Sequence, residues 1–157
     1  MKRRILQILG VAFIATIGMV SCDTDACKDV DCGLYGTCLE GACECDLGYS
    51  GATCTTLVRA AFVGNYNTTE SCTTGPDSYA VTVTAGSSDL TISIGNLYRA
   101  GNFTTGTVNA DGGVTIASQA FGAGTISGTA TKSGGVLTVI YTVAIAGNSD
   151  TCTLTAQ

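Results

Sequence analysis

From Val58 onward, apolar and polar residues alternate with a period of two. Tyr79, Val81, Val83 and Ala85 fall on one side of one segment, and Leu90, Ile92 and Ile94 on one side of the next. Val114 and Ile116 mark a later one. Leu137, Val139, Tyr141, Val143 and Ile145 line a longer segment whose other side carries Thr138 and Thr142. Successive side chains of an extended strand point to opposite faces, so this pattern describes strands with one face in a core and one in water. The runs predict eight strands, near 61–69, 78–85, 89–95, 103–110, 113–120, 124–132, 136–146 and 149–156. Gly, Asn, Asp and Ser separate them, and Ala110-Asp111-Gly112-Gly113 and Ser133-Gly134-Gly135 have hairpin chemistry. No 3.6-residue stripe is sustained, so the expected class is all-β, an antiparallel up-and-down meander. Such a meander leaves two edges of unpaired backbone groups.

The chain opens differently. Lys2-Arg3-Arg4 precedes an apolar run from Ile5 to Val20, and small residues follow. A basic start, a short apolar stretch and small residues describe a secretory signal peptide, and the Gly-interrupted run is short for a membrane span. Met19-Val20-Ser21-Cys22 resembles the lipobox of bacterial lipoprotein signal peptides, with Met where Leu is usual. The resemblance implies removal of residues 1–21, acylation of Cys22, and a lipid-anchored place at the bacterial outer membrane. Each buried methylene contributes about 0.8 kcal/mol, and one acyl chain binds marginally where two or more hold.

Charge adds to this picture. Residues 22–57 carry one Lys against seven carboxylates, with Asp23, Asp25, Asp29 and Asp31 nearest the lipid. By charge alone this is a solvated spacer, repelled from an anionic leaflet. It also resembles surface-export signals of some Gram-negative bacteria, which implies display on the cell surface. The periplasmic face is the alternative.

Nine cysteines is an odd number for an exported chain. Acylation of Cys22 leaves eight, which an oxidising compartment would join in four disulfides. Six are clustered: Cys27, Cys32, Cys38, Cys43, Cys45 and Cys54. Their spacing alone allows about fifteen pairings. Cys43-x-Cys45-x2-Gly48-Tyr49-x4-Cys54, with Gly51, resembles the C-terminal signature of EGF-like domains, and Gly33 with Gly36-Thr37-Cys38 resembles an earlier part of it. The resemblance covers residues 27–54 and implies the pairs Cys27–Cys38, Cys32–Cys43 and Cys45–Cys54. A segment this small needs such bridges, each worth about 2–3 kcal/mol, because its core cannot outweigh chain entropy. Tyr49 and Leu47 are its expected apolar contact. Asp23 and Asp25 match part of the acidic pattern of calcium-binding EGF modules. Ala26 stands where Glu or Gln is usual, and the four residues between Cys38 and Cys43 leave no room for the second ligand group. A hard cation wants about six to eight oxygens, so no cofactor is expected.

The last two cysteines, Cys72 and Cys152, flank nearly all of the second half. A bridge between them joins the two ends of the meander, and closure into a β-barrel removes both edges. An open two-sheet sandwich with the same bridge is the alternative. Phe62-Val63-Gly64-Asn65-Tyr66 resembles the G-x-W start of lipocalin-type barrels, with Tyr for Trp. That resemblance implies a barrel able to carry a ligand. By the residues, Tyr66 is an aromatic plug in the barrel base. Large apolar residues are scarce, so many inward positions are expected to be Gly, Ala, Ser or Thr.

Composition then removes chemistries. With no His there is no Ser-His-Asp triad, no His-paired Cys and no His-ligated zinc. Seven Lys and Arg in a chain of net charge −5 do not suit a nucleic-acid partner. The carboxylates beyond Val58 are Glu70, Asp77, Asp89, Asp111 and Asp150. The four Asp fall at expected turns, and Glu70 lies near Cys72 without an evident partner. A glycosidase needs two carboxylates facing each other across a sugar, so no enzyme is expected. Asn67-Thr68-Thr69 and Asn102-Phe103-Thr104 fit the glycosylation sequon but stay idle in a bacterium. The expectation is a membrane-anchored envelope lipoprotein acting as a non-catalytic binding or adhesion module. Residues 22–57 form the acidic tether and EGF-like stalk, and residues 58–157 present the contact surface to a protein or glycan. The alternative is a lipocalin-like carrier of a small apolar ligand.

Overall fold

A computed structural model describes residues 25–156. The signal segment, Cys22 and Asp23 lie outside the described residues. The chain is all-β, with a disulfide-rich N-terminal segment followed by a closed eight-stranded antiparallel barrel.

In the N-terminal segment β1 (Gly36–Leu39) pairs with β2 (Ala42–Cys45), and β3 (Tyr49–Ser50) with β4 (Thr56–Leu57). Disulfides join Cys27 to Cys38, Cys32 to Cys43 and Cys45 to Cys54. The apolar contact is Tyr49 stacked on Tyr35 at 3.9 Å between ring centres. Leu47, expected in that contact, is exposed instead. Asp25 accepts the Cys27 N–H at 3.0 Å, a local turn bond.

A 3-10 turn, Val58–Ala61, leads into the barrel. Its strands are β5 (Gly64–Cys72), β6 (Gly75–Ala85), β7 (Thr91–Gly95), β8 (Phe103–Val108), β9 (Val114–Phe121), β10 (Gly124–Ser133), β11 (Val136–Ile145) and β12 (Asn148–Ala156). Each pairs with its sequence neighbour, and β12 returns to β5 in the register Cys152↔Cys72 to Ala156↔Thr68. The expected first strand began at 61 and ended at 69. The 3-10 turn takes its start, and the Cys72–Cys152 pairing carries it through Cys72 to a tight turn.

Two seams need attention. β5–β12 joins the ends of the meander and carries the fourth disulfide, Cys72–Cys152, across 80 residues of sequence. β8–β9 is the short one, with two paired positions, Thr107↔Thr115 and Val108↔Val114. Beyond them the Gln119 side chain takes over the ladder. Its amide donates to Thr105 O at 2.8 Å and accepts from Thr105 N–H at 2.9 Å. At Gly128 a Cβ would lie 2.2 Å from the Ile140 carbonyl oxygen. A glycine therefore lets β10 press onto β11 beside the bulge in the β9–β10 pairing.

The interior is filled. Val81, Val83, Ile92, Ile94, Val114, Ile116, Ile126, Leu137, Val139, Tyr141 and Leu154 form one buried core with Phe62 and Tyr66. The expected small inward residues are present, among them Thr68, Thr104, Gly106, Ala130 and Ala156, but large ones outnumber them. The alternation turns most large side chains inward, with Phe103, Ile140 and Ile145 as exposed exceptions, and leaves most of the Thr and Ser outside.

The two ends differ. At one end Tyr66 donates its hydroxyl to Phe62 O at 2.7 Å, and Lys132 Nζ lies 5.0 Å over its ring. The N-terminal segment docks at this end. Arg59 pairs with Asp89 at 2.9 Å, Tyr49 donates to Asp89 at 2.9 Å, and Gly48 lies against Leu90. The other end, formed by residues 73–74, 96–102, 122–123 and 146–147, is free of that segment.

Cys72→Ala/Cys152→Ala is expected to cost about 4 kcal/mol of unfolding free energy by loop closure, measured by urea titration. A loss under about 1 kcal/mol would mean that the seam closes without its bridge.

Candidate active end of the barrel

The free end holds the only buried carboxylates among the described residues, Glu70 and Asp150. Strand parity brings them there. Tyr66, Thr68 and Glu70 share the inward face of β5; Asp150, Cys152 and Leu154 share that of β12. On β6 the inward positions Asp77 and Tyr79 face the same mouth, with Asp77 directly opposite Glu70.

Three tyrosines connect the two carboxylates. Tyr79 donates its hydroxyl to Glu70 Oε1 at 2.5 Å, and Tyr141 donates to the same oxygen. The Tyr98 backbone N–H in turn donates to both phenol oxygens, at 2.9 and 3.0 Å. Tyr98 then donates its own hydroxyl to Asp150 Oδ2 at 3.0 Å. Asp150 also accepts the Thr73 hydroxyl, the Thr74 hydroxyl at 2.5 Å and the Thr74 N–H at 3.3 Å.

Those donors decide protonation. The Thr73 and Thr74 hydroxyls, then Tyr98, stabilise the Asp150 anion and hold its pKa down from 3.8 to about 2. Burial, then the bond to Glu70, pushes the Tyr79 and Tyr141 phenols well above the usual range. The bond to Asp150 raises Tyr98. All three tyrosines therefore remain proton donors at neutral pH.

The loop carrying Tyr98 is conformationally costly. Asn96, Tyr98 and Arg99 all have positive φ, at 72°, 55° and 52°. Left-handed backbone costs an L-residue about 1–2 kcal/mol, and here the surroundings enforce it. Asn96 donates its side-chain amide to Ala80 O at 2.7 Å and accepts the Gly101 N–H at 3.1 Å. Leu97 is fully buried beneath. The outcome is a hydrogen-bonded loop presenting Arg99 to solvent, 3.5 Å from Asp77.

Two clefts flank Tyr98. One, of about 440 Å³, is lined by Glu70, Thr74, Asp77, Tyr98 and Arg99. The other, of about 150 Å³, is lined by Thr74, Tyr98, Val143, Ile145 and Asp150. A third, of about 470 Å³, lies where the N-terminal segment meets the barrel, beside Glu44, Asp46 and Asp111.

Several expectations change here. Asp77 and Asp150 lie in strands and face the barrel mouth; only Asp89 and Asp111 sit in turns. Glu70, without an evident partner in the sequence, has two phenols. The parity that makes Tyr66, Val81, Tyr141 and Leu154 core residues also turns Glu70, Asp77 and Asp150 inward. That signal was present in the alternation. The left-handed run at Tyr98 had none. Glu70 lies close to the sulfurs of Cys72 and Cys152, but the disulfide occupies both, so these three do not form a metal ligand set. No family model and no curated protein matches the chain.

The low pKa of Asp150 implies stability that is present above about pH 4 and is lost as pH falls toward about 2. Urea midpoints measured from pH 5 to pH 2 should fall less in Asp150→Asn than in the native protein. Equal slopes would contradict the assignment.

Proposed function

We propose that the chain is an envelope lipoprotein anchored to the bacterial outer membrane through acylated Cys22, and that it acts as a non-catalytic binding or adhesion module. The disulfide-rich segment is the EGF-like stalk, and the barrel's free end is the contact surface. The observation that carries this reading is the asymmetry of the barrel. The stalk occupies the end closed by Tyr66 and Lys132. The opposite end carries the costly Asn96–Gly101 loop and the polar clefts. Strained backbone persists where surrounding structure enforces it, and it clusters at ligand clamps.

The chemistry favours binding over catalysis. Asp150 is held as an anion by four donors, and Glu70 is tied to two phenols. The lowered pKa of Asp150 removes it as a general acid or base near neutrality. The filled interior weighs against the carrier alternative, since an internal ligand would have to displace Tyr141, Ile92 or Leu137.

Cys22→Ser is expected to move the protein from the membrane fraction to the soluble fraction. Retention in the membrane would refute the anchor. Protease added to intact cells should remove the barrel if it is displayed outside, and spare it if it faces the periplasm. Pull-down with the mature chain should capture a partner that is lost when residues 96–101 are replaced by a Gly-Ser loop.

A further inference from the structure

We propose that the cleft beside Glu70 binds a primary ammonium group carried on an alkyl stem. The inference rests on reading the free end as the contact surface, and it names the chemistry of that contact.

Three observations support it. First, Glu70 is 5% exposed and has no cationic partner among the described residues. Both phenols go to Oε1, and Oε2 accepts no hydrogen bond from the described residues, while the residue lines the cleft. A buried anion without a counter-charge is costly, and a bound cation offsets that cost.

Second, Asp77 stands directly opposite Glu70 on the same face of the β5–β6 pair. Like charges in that relation repel. Among the described residues the one nearby cation, Arg99, reaches only Asp77, at 3.5 Å, with its side chain 64% exposed. A compact ammonium with three donors fits between two carboxylates better than a planar guanidinium anchored outside them.

Third, the wall of the cleft explains the stem. Thr74 and Tyr98 line both clefts, so the Tyr98 side chain stands between the acidic cleft and the one beside Val143 and Ile145 and gives the acidic cleft an aromatic wall. A charged head beside Glu70 and an apolar stem laid against the Tyr98 side chain match this arrangement. A sugar, polar all round, does not. A lysine side chain of a partner protein and a free polyamine share the required chemistry.

The test is NMR titration of the mature chain with Nα-acetyl-lysine methylamide and, separately, with putrescine, using glucose as the neutral control. Both amines should give saturable shifts of the Thr74, Tyr98 and Arg99 amides, and glucose should give none. Tighter binding of the lysine derivative assigns a protein lysine; tighter binding of putrescine assigns a polyamine. Glu70→Gln should weaken binding about tenfold or more, as for loss of a charge-assisted hydrogen bond. Asp77→Asn, outside the phenol network, should weaken it several-fold and covers a misfolded Glu70→Gln. Absence of shifts at these amides, an equal response to glucose, or unchanged affinity in Asp77→Asn would overturn the proposal. None of these outcomes touches the contact-surface reading, which the loop-replacement pull-down tests without any amine.

Discussion

The ladder between β5 and β12 is the constraint on which the rest of the structure depends. It joins strands from opposite ends of the meander, pairing Thr68–Cys72 with Cys152–Ala156. Without it, two edges of β-branched sequence would offer unpaired backbone groups to other chains. With it, every inward side chain faces a closed interior. The Cys72–Cys152 bridge pins the ladder at its free-end terminus, and the Thr73 N–H continues it to Thr151 O at 3.1 Å. The same closure creates the polar mouth. Glu70 comes from one side of the seam and Asp150 from the other, and only closure puts both within reach of Tyr98.

The two mouths solve the problem of ending a barrel in different ways. At the end that bears the N-terminal segment, Phe62 and Tyr66 fill the opening and Lys132 covers the ring, so apolar mass and one cation exclude water. At the free end, the chain buries two carboxylates and satisfies them with hydroxyls. Burial of such groups is costly unless they are hydrogen-bonded. Asp150 meets that condition through Thr73, Thr74 and Tyr98. Glu70 meets it on one oxygen. The two carboxylates thus differ: Asp150 is held by four donors, whereas Glu70 keeps one oxygen without a hydrogen bond from the described residues. This arrangement also accounts for the left-handed loop, because the Tyr98 N–H and hydroxyl must reach both clusters at once.

Much of the fold was legible because the barrel is built from one rule. Period-two alternation located all eight strands, and the positions of Cys72 and Cys152 implied closure. Edges of the elements were less legible. The start near 61 became a 3-10 turn, and β5 ran on to Cys72 because pairing with β12 outweighs the weak strand preference of Glu-Ser-Cys. At the mouth, parity carried the information but turn chemistry obscured it. Asp is common in turns, and Asp77 and Asp150 sit near strand ends, so local preference pointed away from their inward faces. The phenol partners of Glu70 lie 9 and 71 residues away, and no local pattern joins them. Leu47 misled for the opposite reason: an apolar residue in a small disulfide-bonded segment need not be buried when Tyr35 and Tyr49 already stack.

The β5–β12 seam sets the interior, the polar mouth and the separation of the N-terminal segment from the free end. Native-state amide hydrogen exchange, read residue by residue, tests it directly. If the barrel is closed, hydrogen-bonded amides within Thr68–Cys72 and Cys152–Ala156 exchange as slowly as those of β10 and β11, through global unfolding alone. The short β8–β9 seam opens first. Rapid exchange along β5 and β12, with slow exchange elsewhere, would mean an open sheet and would contradict the account.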